Sequence, residues 1–325
     1  MPTEYHFAFW NLENLFDIEN SPRRDPRVAR ILGKDIKGWT QALLDRKISQ
    51  LSSIIRKMNN ARGPDLLGIC EVENKFVVDL LIQSLAPLGR NYQIIHHDSP
   101  DKRGIDVAFI YDGDLLEVPL PLEENVFSHF VMRRTATRDI LQVTFKTKAH
   151  QRELIVMGNH WPSRSGGEAE SDAYRAMAGE TLAYFHQRIF EVKGDAMPVI
   201  AMGDFNDEPF NTSIVDYALG LRVANMVASG RNPYFLNLMW PMMGKGFGTL
   251  YYNGPNLLDQ FLINKNWLRL TSTFKIKPDS VAIIKFPEMM NKKGEPIPFG
   301  GMGKPVNQNG FSDHFPVETV VIEAD

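Results

Sequence analysis

The chain has 325 residues, with 36 Lys+Arg against 39 Asp+Glu, a formal net charge of −3, 43% hydrophobic residues, 24 Gly and 20 Pro. This balance excludes a disordered, collagenous or coiled-coil protein. A pI near 6.3 also makes any polyanion site a local patch and not a general property of the surface. Cys70 is the only cysteine, which excludes an intrachain disulfide and a cysteine-based zinc site and suits a reducing compartment. No apolar run approaches the roughly 18 residues of a membrane helix, so no stable membrane insertion is expected. The N-terminus carries Glu4, Glu13 and Asp17 where a signal peptide would be basic and then apolar. A cytoplasmic location is expected, although a processed secreted chain would look the same.

Near-continuous apolar runs read as central strands. They are Tyr5–Trp10, Leu66–Cys70, Ile105–Tyr111, Leu154–Met157, Val199–Met202, Gln260–Ile263 and Val317–Ile322. Between the first two, Ser21–Ile36 mixes Arg23, Arg24, Arg27 and Arg30 with prolines and aspartates and reads as a solvated surface loop. Thr40–Met58 then repeats Leu44, Ile48, Leu51, Ile55 and Met58 at helical spacing. Thr40 is its expected N-cap, with Trp39 stapled onto Leu44. A second helix is expected from about Ser171 to Phe190, burying Tyr174, Ala178, Thr181, Phe185 and Ile189. Gly246–Leu250 with Tyr251 and Tyr252 reads as core packing, with an aromatic surface for a base as the alternative. Ala282–Val306, with Lys285, Lys292, Lys293 and Lys304, reads as a second long surface loop, and for both loops a substrate-contacting rim is the alternative.

The informative pattern is polar. The strands run into Asn11, Glu13 and Asn14; Glu71, Glu73 and Asn74; Asn159 and His160; and Asp204, Asn206 and Asp207. Asp259 precedes Gln260–Ile263, and Asp313 and His314 precede the last strand. Six apolar segments thus present carboxylates, amides or imidazoles where the chain leaves the core, which suggests one convergent site. Oxygen ligands without thiolates suit a hard cation such as Mg2+ or Mn2+, and imidazoles beside carboxylates supply proton transfer near neutral pH. Neither a Gly-x-Ser-x-Gly elbow nor a phosphate-binding Gly-rich loop ending in Lys-Ser or Lys-Thr is present.

With these residues the chain resembles the endonuclease/exonuclease/phosphatase superfamily, which includes DNase I-like and exonuclease III-like enzymes. The matching blocks are Phe9–Phe16, Gly68–Asn74, Arg103–Ala108, Gly158–Ser163, Gly203–Asp207, Leu258-Asp259 and Ser312–Pro316, in the family's order over nearly the whole chain. The resemblance implies an α+β fold, a four-layer αββα sandwich of two mixed sheets packed face to face and flanked by helices, and a single domain over residues 1–325. It implies metal binding by Glu71, Asn11 and Asp313, using one or two Mg2+ or Mn2+ ions. Asp204 would orient or deprotonate water, and Asn206 and His314 would bond the phosphate. Asp259 would hold His314 protonated, and His160 is a candidate acid for the leaving oxygen.

Arg103 and Arg164 are candidate phosphate contacts, since arginine's planar fork of donors matches phosphate oxygens. Asp106 is a family-like position of undefined role, while His96, His97, His129 and His186 are read as structural or exposed. The implied activity is a metal-dependent phosphodiester hydrolase, with nucleic acid (DNA or RNA) as substrate and partner. The alternative is a phosphatase or phospholipase-type phosphodiesterase acting on an inositol phosphate, lipid or small nucleotide. An exposed apolar segment at Phe286–Phe299 would favour the lipid form. A binding scaffold without activity is the reading from another class, and the presence of Glu71, Asp204, Asn206 and His314 speaks against it.

Overall fold

The apolar runs form strands that continue into their polar ends. A computed structural model describes residues 2–132, 137–164 and 167–325. Its first strand spans Thr3–Leu15 and not just the apolar Tyr5–Trp10, and the others extend likewise to Leu66–Val72, Glu153–His160, Val199–Asp204 and Asp259–Asn264. Side chains alternate along them. Phe7 and Phe9 face one core while Ala8, Trp10 and Leu12 face another, as a strand buried on both faces requires.

Two large sheets result. The first runs Phe274–Ile276, Val317–Glu323, Thr3–Leu15, Leu66–Val72, Asp106–Asp112 and Tyr92–His96, with Ala282–Ile283 added on Val317–Glu323. The second runs Gly220–Leu221, Phe235–Asn237, Asp259–Asn264, Val199–Asp204, Glu153–His160, Ile140–Thr147 and Leu116–Glu117, with Val126–His129 added on Ile140–Thr147. Both are mixed. Thr3–Leu15 pairs in parallel with Leu66–Val72, and Glu153–His160 with Val199–Asp204. A parallel pair needs a crossover, and helices Gln41–Ile55 and Glu168–Lys193 supply it for these two; a third, short parallel pair, Gly220–Leu221 with Phe235–Asn237, is connected through helix Ala224–Ser229.

Three layers of packing follow. Phe9, Phe109, Phe145, Met202 and Phe261 fill the space between the sheets. Helix Gln41–Ile55 sets Leu44, Ile48, Leu51 and Ile55 against Leu67 and Ile69, and helix Glu168–Lys193 sets Ala178, Leu182 and Ile189 against Ile155 and Ala201. The expected αββα sandwich is therefore the observed fold. Each buried Leu, Ile, Phe or Met in these layers contributes on the order of 1.5–3 kcal/mol. Gly68 lets the sheets close, since a Cβ there would lie 3.0 Å from the Met202 sulfur of the other sheet. Among the described residues, no helix is long and apolar enough to cross a membrane.

Several sequence expectations need correction. Helix Gln41–Ile55 stops before Met58, its end tightening as the Lys57 N–H turns back to the Ile54 carbonyl oxygen, and Asn59 and Asn60 beyond take left-handed backbone conformations. Thr40 caps it as expected, but Trp39 packs edge-on against Phe299 in a separate cluster and not on Leu44. The inward stripe of Glu168–Lys193 is Arg175, Ala178, Leu182, His186 and Ile189. Tyr174 is exposed, and Thr181 and Phe185 are only half-buried. The helix turns two polar side chains inward because each meets a partner there, Asp207 for Arg175 and the Phe235 ring for His186.

Ser21–Ile36 is no solvated loop. It contains helix Pro26–Leu32, capped by Asp25, and buries Val28, Leu32 and Ile36 beside Phe16, Ile105 and Phe299. Arg24 is buried there against Glu73, at 2.6 Å. Ala282–Val306 is largely irregular, yet Met289 and Phe299 are buried, so Phe286–Phe299 offers no apolar face for lipid. Core packing holds for only part of the aromatic stretch: Gly248 and Thr249 are buried and Tyr251 packs on the core, but Phe247 is 43% and Tyr252 73% exposed.

Candidate active site

The parallel pairs Thr3–Leu15 with Leu66–Val72 and Glu153–His160 with Val199–Asp204 end at the same edge, and there the two sheets bring their polar residues together. Ladder register sets one row, in which His160 lies opposite Asp204 and Asp204 opposite Asp259 on three adjacent strands of the second sheet. Gly203 allows that closeness, since a Cβ on it would stand 2.2 Å from the Asn159 carbonyl oxygen. The first sheet supplies Asn11 and Glu71 from its parallel pair. Register shifts occur between Asn11 and Leu15 and between Cys70 and Val72. Such bulges re-aim side chains, and here they coincide with left-handed backbone at Glu13, Asn14 and Glu71; Asn206 is a fourth such residue across the site. Left-handed non-glycine residues cost energy and concentrate at functional sites.

At this edge the sheets are linked by Asn11 Nδ2, which donates to Asp204 Oδ2 at 3.0 Å. The Asn11 side-chain oxygen accepts from the Glu13 N–H, so in this arrangement Asn11 braces Asp204 and has one lone pair left for a cation. The His314 loop is fixed from the same strand. Trp10 Nε1 donates to the His314 carbonyl oxygen at 2.9 Å, and Ser312 Oγ donates to the Asn11 carbonyl oxygen at 2.7 Å. His314 Nδ1 then meets Asp259 Oδ2 at 2.7 Å. Nε2 of His314 and Nε2 of His160 each lie 3.8 Å from Asp204 Oδ2, so two imidazoles flank one carboxylate oxygen.

Burial and neighbouring charges set different protonation states. Burial alone would lower His314, but Asp259 and Asp204 outweigh it and hold the ring well above the usual histidine value, charged at neutral pH. Burial, followed by the guanidinium of Arg138, takes His160 well below that value. His160 is thus a neutral ring, which does not suit a ready-charged acid for the leaving oxygen. Burial raises Asp204 to about 6, with His314 opposing. Burial also pushes Glu71 up, but Arg103 and then Arg138 hold its carboxyl below the ordinary range.

The remaining expected residues divide. Glu71 faces the site, 3.6 Å from His160 Nε2 and 3.5 Å from Arg103 Nη2, and its other oxygen accepts from the Asn14 N–H. Asp313 sits at the rim, 4.0 Å from Lys304, with burial raising its carboxyl. Asn206 Nδ2 donates to the Trp161 carbonyl oxygen at 3.0 Å. Arg164 does not present a free fork, because it donates to the Asn206 carbonyl oxygen at 2.7 Å and to Asp207 at 2.8 Å; residues 165 and 166 of its loop lie outside the described residues. Asp106 accepts from the Ser99 N–H and His96, steadying the turn that carries Asp101 and Arg103. His96, His129 and His186 pack or hydrogen-bond in structural positions, and His97 is exposed.

Sequence reading missed Arg138. It is buried, it contacts both ring nitrogens of His160 at 3.1 and 2.7 Å, and it reaches Asp101 at 3.4 Å. No periodicity or motif marked it. It follows residues 133–136, which are outside the described residues, and its partners come from distant segments.

A cation fits the donor set. Asp204, Asp259 and His314 have ligand atoms within 4.8 Å of one another, but the His314–Asp259 hydrogen bond already occupies two of those groups. Glu71, held ionised, with Asp313 and the remaining Asn11 lone pair, offers the hard oxygens that Mg2+ or Mn2+ prefers.

The fold is shared with solved structures. The human Nocturnin catalytic domain with bound sulfate anion matches at TM-score 0.59 and 16% identity, covering 98% of this chain and 94% of that one. A Bacteroides thetaiotaomicron mannosyl-6-phosphatase matches at TM-score 0.57 and 14% identity, covering 98% and 99%. ANGEL2, a 2',3'-cyclic phosphatase in complex with adenosine-2',3'-vanadate, matches at TM-score 0.62 and 12% identity, covering 99% and 96%. No curated protein matches in sequence. The family profile described as Endonuclease/Exonuclease/phosphatase family matches residues 6–323, and the chain belongs to that family.

Proposed function

We propose that this chain is a divalent-metal-dependent phosphodiester hydrolase acting on nucleic acid, with the whole of residues 1–325 forming one catalytic domain. The observation that carries the reading is the convergence of His314, His160 and Asp204, with Asp204 Oδ2 3.8 Å from each Nε2. Asp204, raised to about 6, is a carboxylate near neutrality and basic enough to draw a proton from an attacking water. His314 carries a positive charge toward the phosphate and stabilises the charge that develops on it. His160 acts as a neutral hydrogen-bonding ring. Arg103 and Arg138 add fixed positive charge beside it, and Asn206 is the further phosphate contact. Mg2+ or Mn2+, one or two ions held by Glu71, Asp313 and Asn11, would neutralise phosphate oxygens. Nucleic acid is favoured over lipid because the one apolar segment expected to serve a lipid is turned inward at Met289 and Phe299.

The test is turnover on single- and double-stranded DNA, RNA, bis-p-nitrophenyl phosphate and a sugar phosphate, each with Mg2+, Mn2+ and EDTA. Cleavage of a nucleic acid that stops with EDTA and with His314→Ala is the expected result. Cleavage of the sugar phosphate alone would replace the substrate, and inactivity on every compound would remove the hydrolase reading.

A further inference from the structure

The segment from Phe247 to Asn256 leaves the active-site edge and returns to it. Thr249 accepts from the Phe315 N–H at 2.8 Å through its carbonyl oxygen, directly after His314 in the chain. Its hydroxyl oxygen accepts from the Leu258 and Asp259 N–H groups, both at 3.2 Å. The hairpin, Leu250–Tyr251 paired with Pro255–Asn256, is therefore anchored to the residues that flank the His314–Asp259 pair. What it presents outward is aromatic. Phe247 is 43% exposed, and Tyr252 at the tip is 73% exposed.

A cation is set among these rings. Lys285 Nζ lies 4.8 Å from the centroid of Phe247, 5.6 Å from Tyr251 and 5.2 Å from Phe315, and it donates to the Tyr251 hydroxyl at 3.2 Å. Among the described residues, no carboxylate lies within ion-pair distance of it, whereas Lys57 pairs with Glu288 and Lys304 approaches Asp313. Exposed aromatics with an uncompensated ammonium form a surface for a ligand that joins a flat π-face to a negative charge. Aromatic platforms beside positive charge are how single strands are held without sequence preference.

We propose that Phe247, Tyr252 and Lys285 form a docking strip for single-stranded nucleic acid, the rings stacking on a base and the ammonium meeting a phosphate next to the one being cleaved. This rests on the nucleic-acid reading of the site and adds a preference for unpaired bases, because a base in a duplex has no free face to offer.

Binding separates the strip from the chemistry. Affinity of the full chain is measured in EDTA, by fluorescence anisotropy, for a labelled dT10 oligonucleotide and for a backbone of equal length lacking bases. Wild type should bind dT10 more tightly. Tyr252→Ala and Phe247→Ala should each weaken dT10 by roughly tenfold and leave the base-free strand unchanged. Lys285→Gln should weaken both strands. All three should retain wild-type turnover of bis-p-nitrophenyl phosphate, which shows that folding and chemistry are intact. Equal binding of the two strands by wild type, or aromatic variants that bind dT10 normally, would overturn the strip even if nucleic acid is cleaved. Base-dependent binding lost in the variants would uphold the strip even if the turnover panel named another scissile bond.

Discussion

His314 Nδ1 and Asp259 Oδ2 are 2.7 Å apart, joining a loop ahead of the last strand of one sheet to the first residue of a strand in the other. The pair fixes the imidazole's orientation and its charge together, since Asp259 is the largest influence raising it against burial.

Asp259→Asn keeps the shape and removes the charge. Turnover should fall by about 10²–10⁴-fold. The pH profile gives the sharper check. On the alkaline side, wild-type activity should be lost as pH rises through the raised value of His314. Without the Asp259 charge, burial pulls that value down, so the alkaline limb should move to lower pH. An unmoved limb would assign the limb to another group.

Asp204→Asn should abolish turnover and yet stabilise the metal-free protein. Burial raises the native carboxyl to about 6 from 3.8, so the charged form is disfavoured by folding. Below the unfolded value both proteins are neutral at this position and equally stable. The variant's advantage should grow from about pH 4 to 6 and then level off at roughly 1–3 kcal/mol. Denaturant unfolding in EDTA at pH 4 and pH 8 reads this directly. A variant less stable than wild type at pH 8 would show that Asn11 and His314 stabilise the Asp204 charge more than burial penalises it.

The sandwich and its polar edge were legible because strand cores are apolar runs and their ends carry unlike residues. Asn11, Glu71, His160, Asp204, Asp259 and His314 all lie at such ends, which marked them as candidates, while their roles came from the resemblance to the family. Arg138 lacked any such signal, since its importance lies in reaching His160 and Asp101, which are 22 and 37 positions away. Glu168–Lys193 was misphased for a related reason. Its buried stripe includes Arg175 and His186, which an apolar pattern assigns to the solvent side. Ser21–Ile36 looked solvated because Arg24 is charged, yet the Glu73 carboxylate pairs with it in the interior.

Arg175 should be a stability determinant next to the site. It is fully buried, 2.8 Å from Asp207, which also pairs with Arg164 at 2.8 Å and accepts from Ser213. Breaking a buried pair from one side leaves an uncompensated charge. Because Arg164 remains, Arg175→Met should cost about 3 kcal/mol in denaturant unfolding. Arg164→Met should cost less stability but more turnover, since Arg164 also holds the Asn206 carbonyl oxygen. Equal effects of the two on both measurements would mean that Asp207 acts only as a fold anchor.

His186 should govern part of the acid sensitivity. Its ring lies 3.9 Å from that of Phe235, nearly parallel, and is fully buried. Burial takes it from 6.5 down to about 3. In the unfolded chain the ring binds a proton as pH falls below about 6.5, while in the fold it stays neutral until much lower pH. The native state is thus favoured in full above 6.5 and loses about 1.4 kcal/mol per pH unit below it. Replacing His186 with Phe keeps an aromatic stack against Phe235 and removes the titration. The variant's unfolding free energy should therefore run parallel to wild type above pH 7 and fall less steeply between pH 6 and 4. Parallel curves over the whole range would mean that the native ring takes up its proton as readily as the unfolded one.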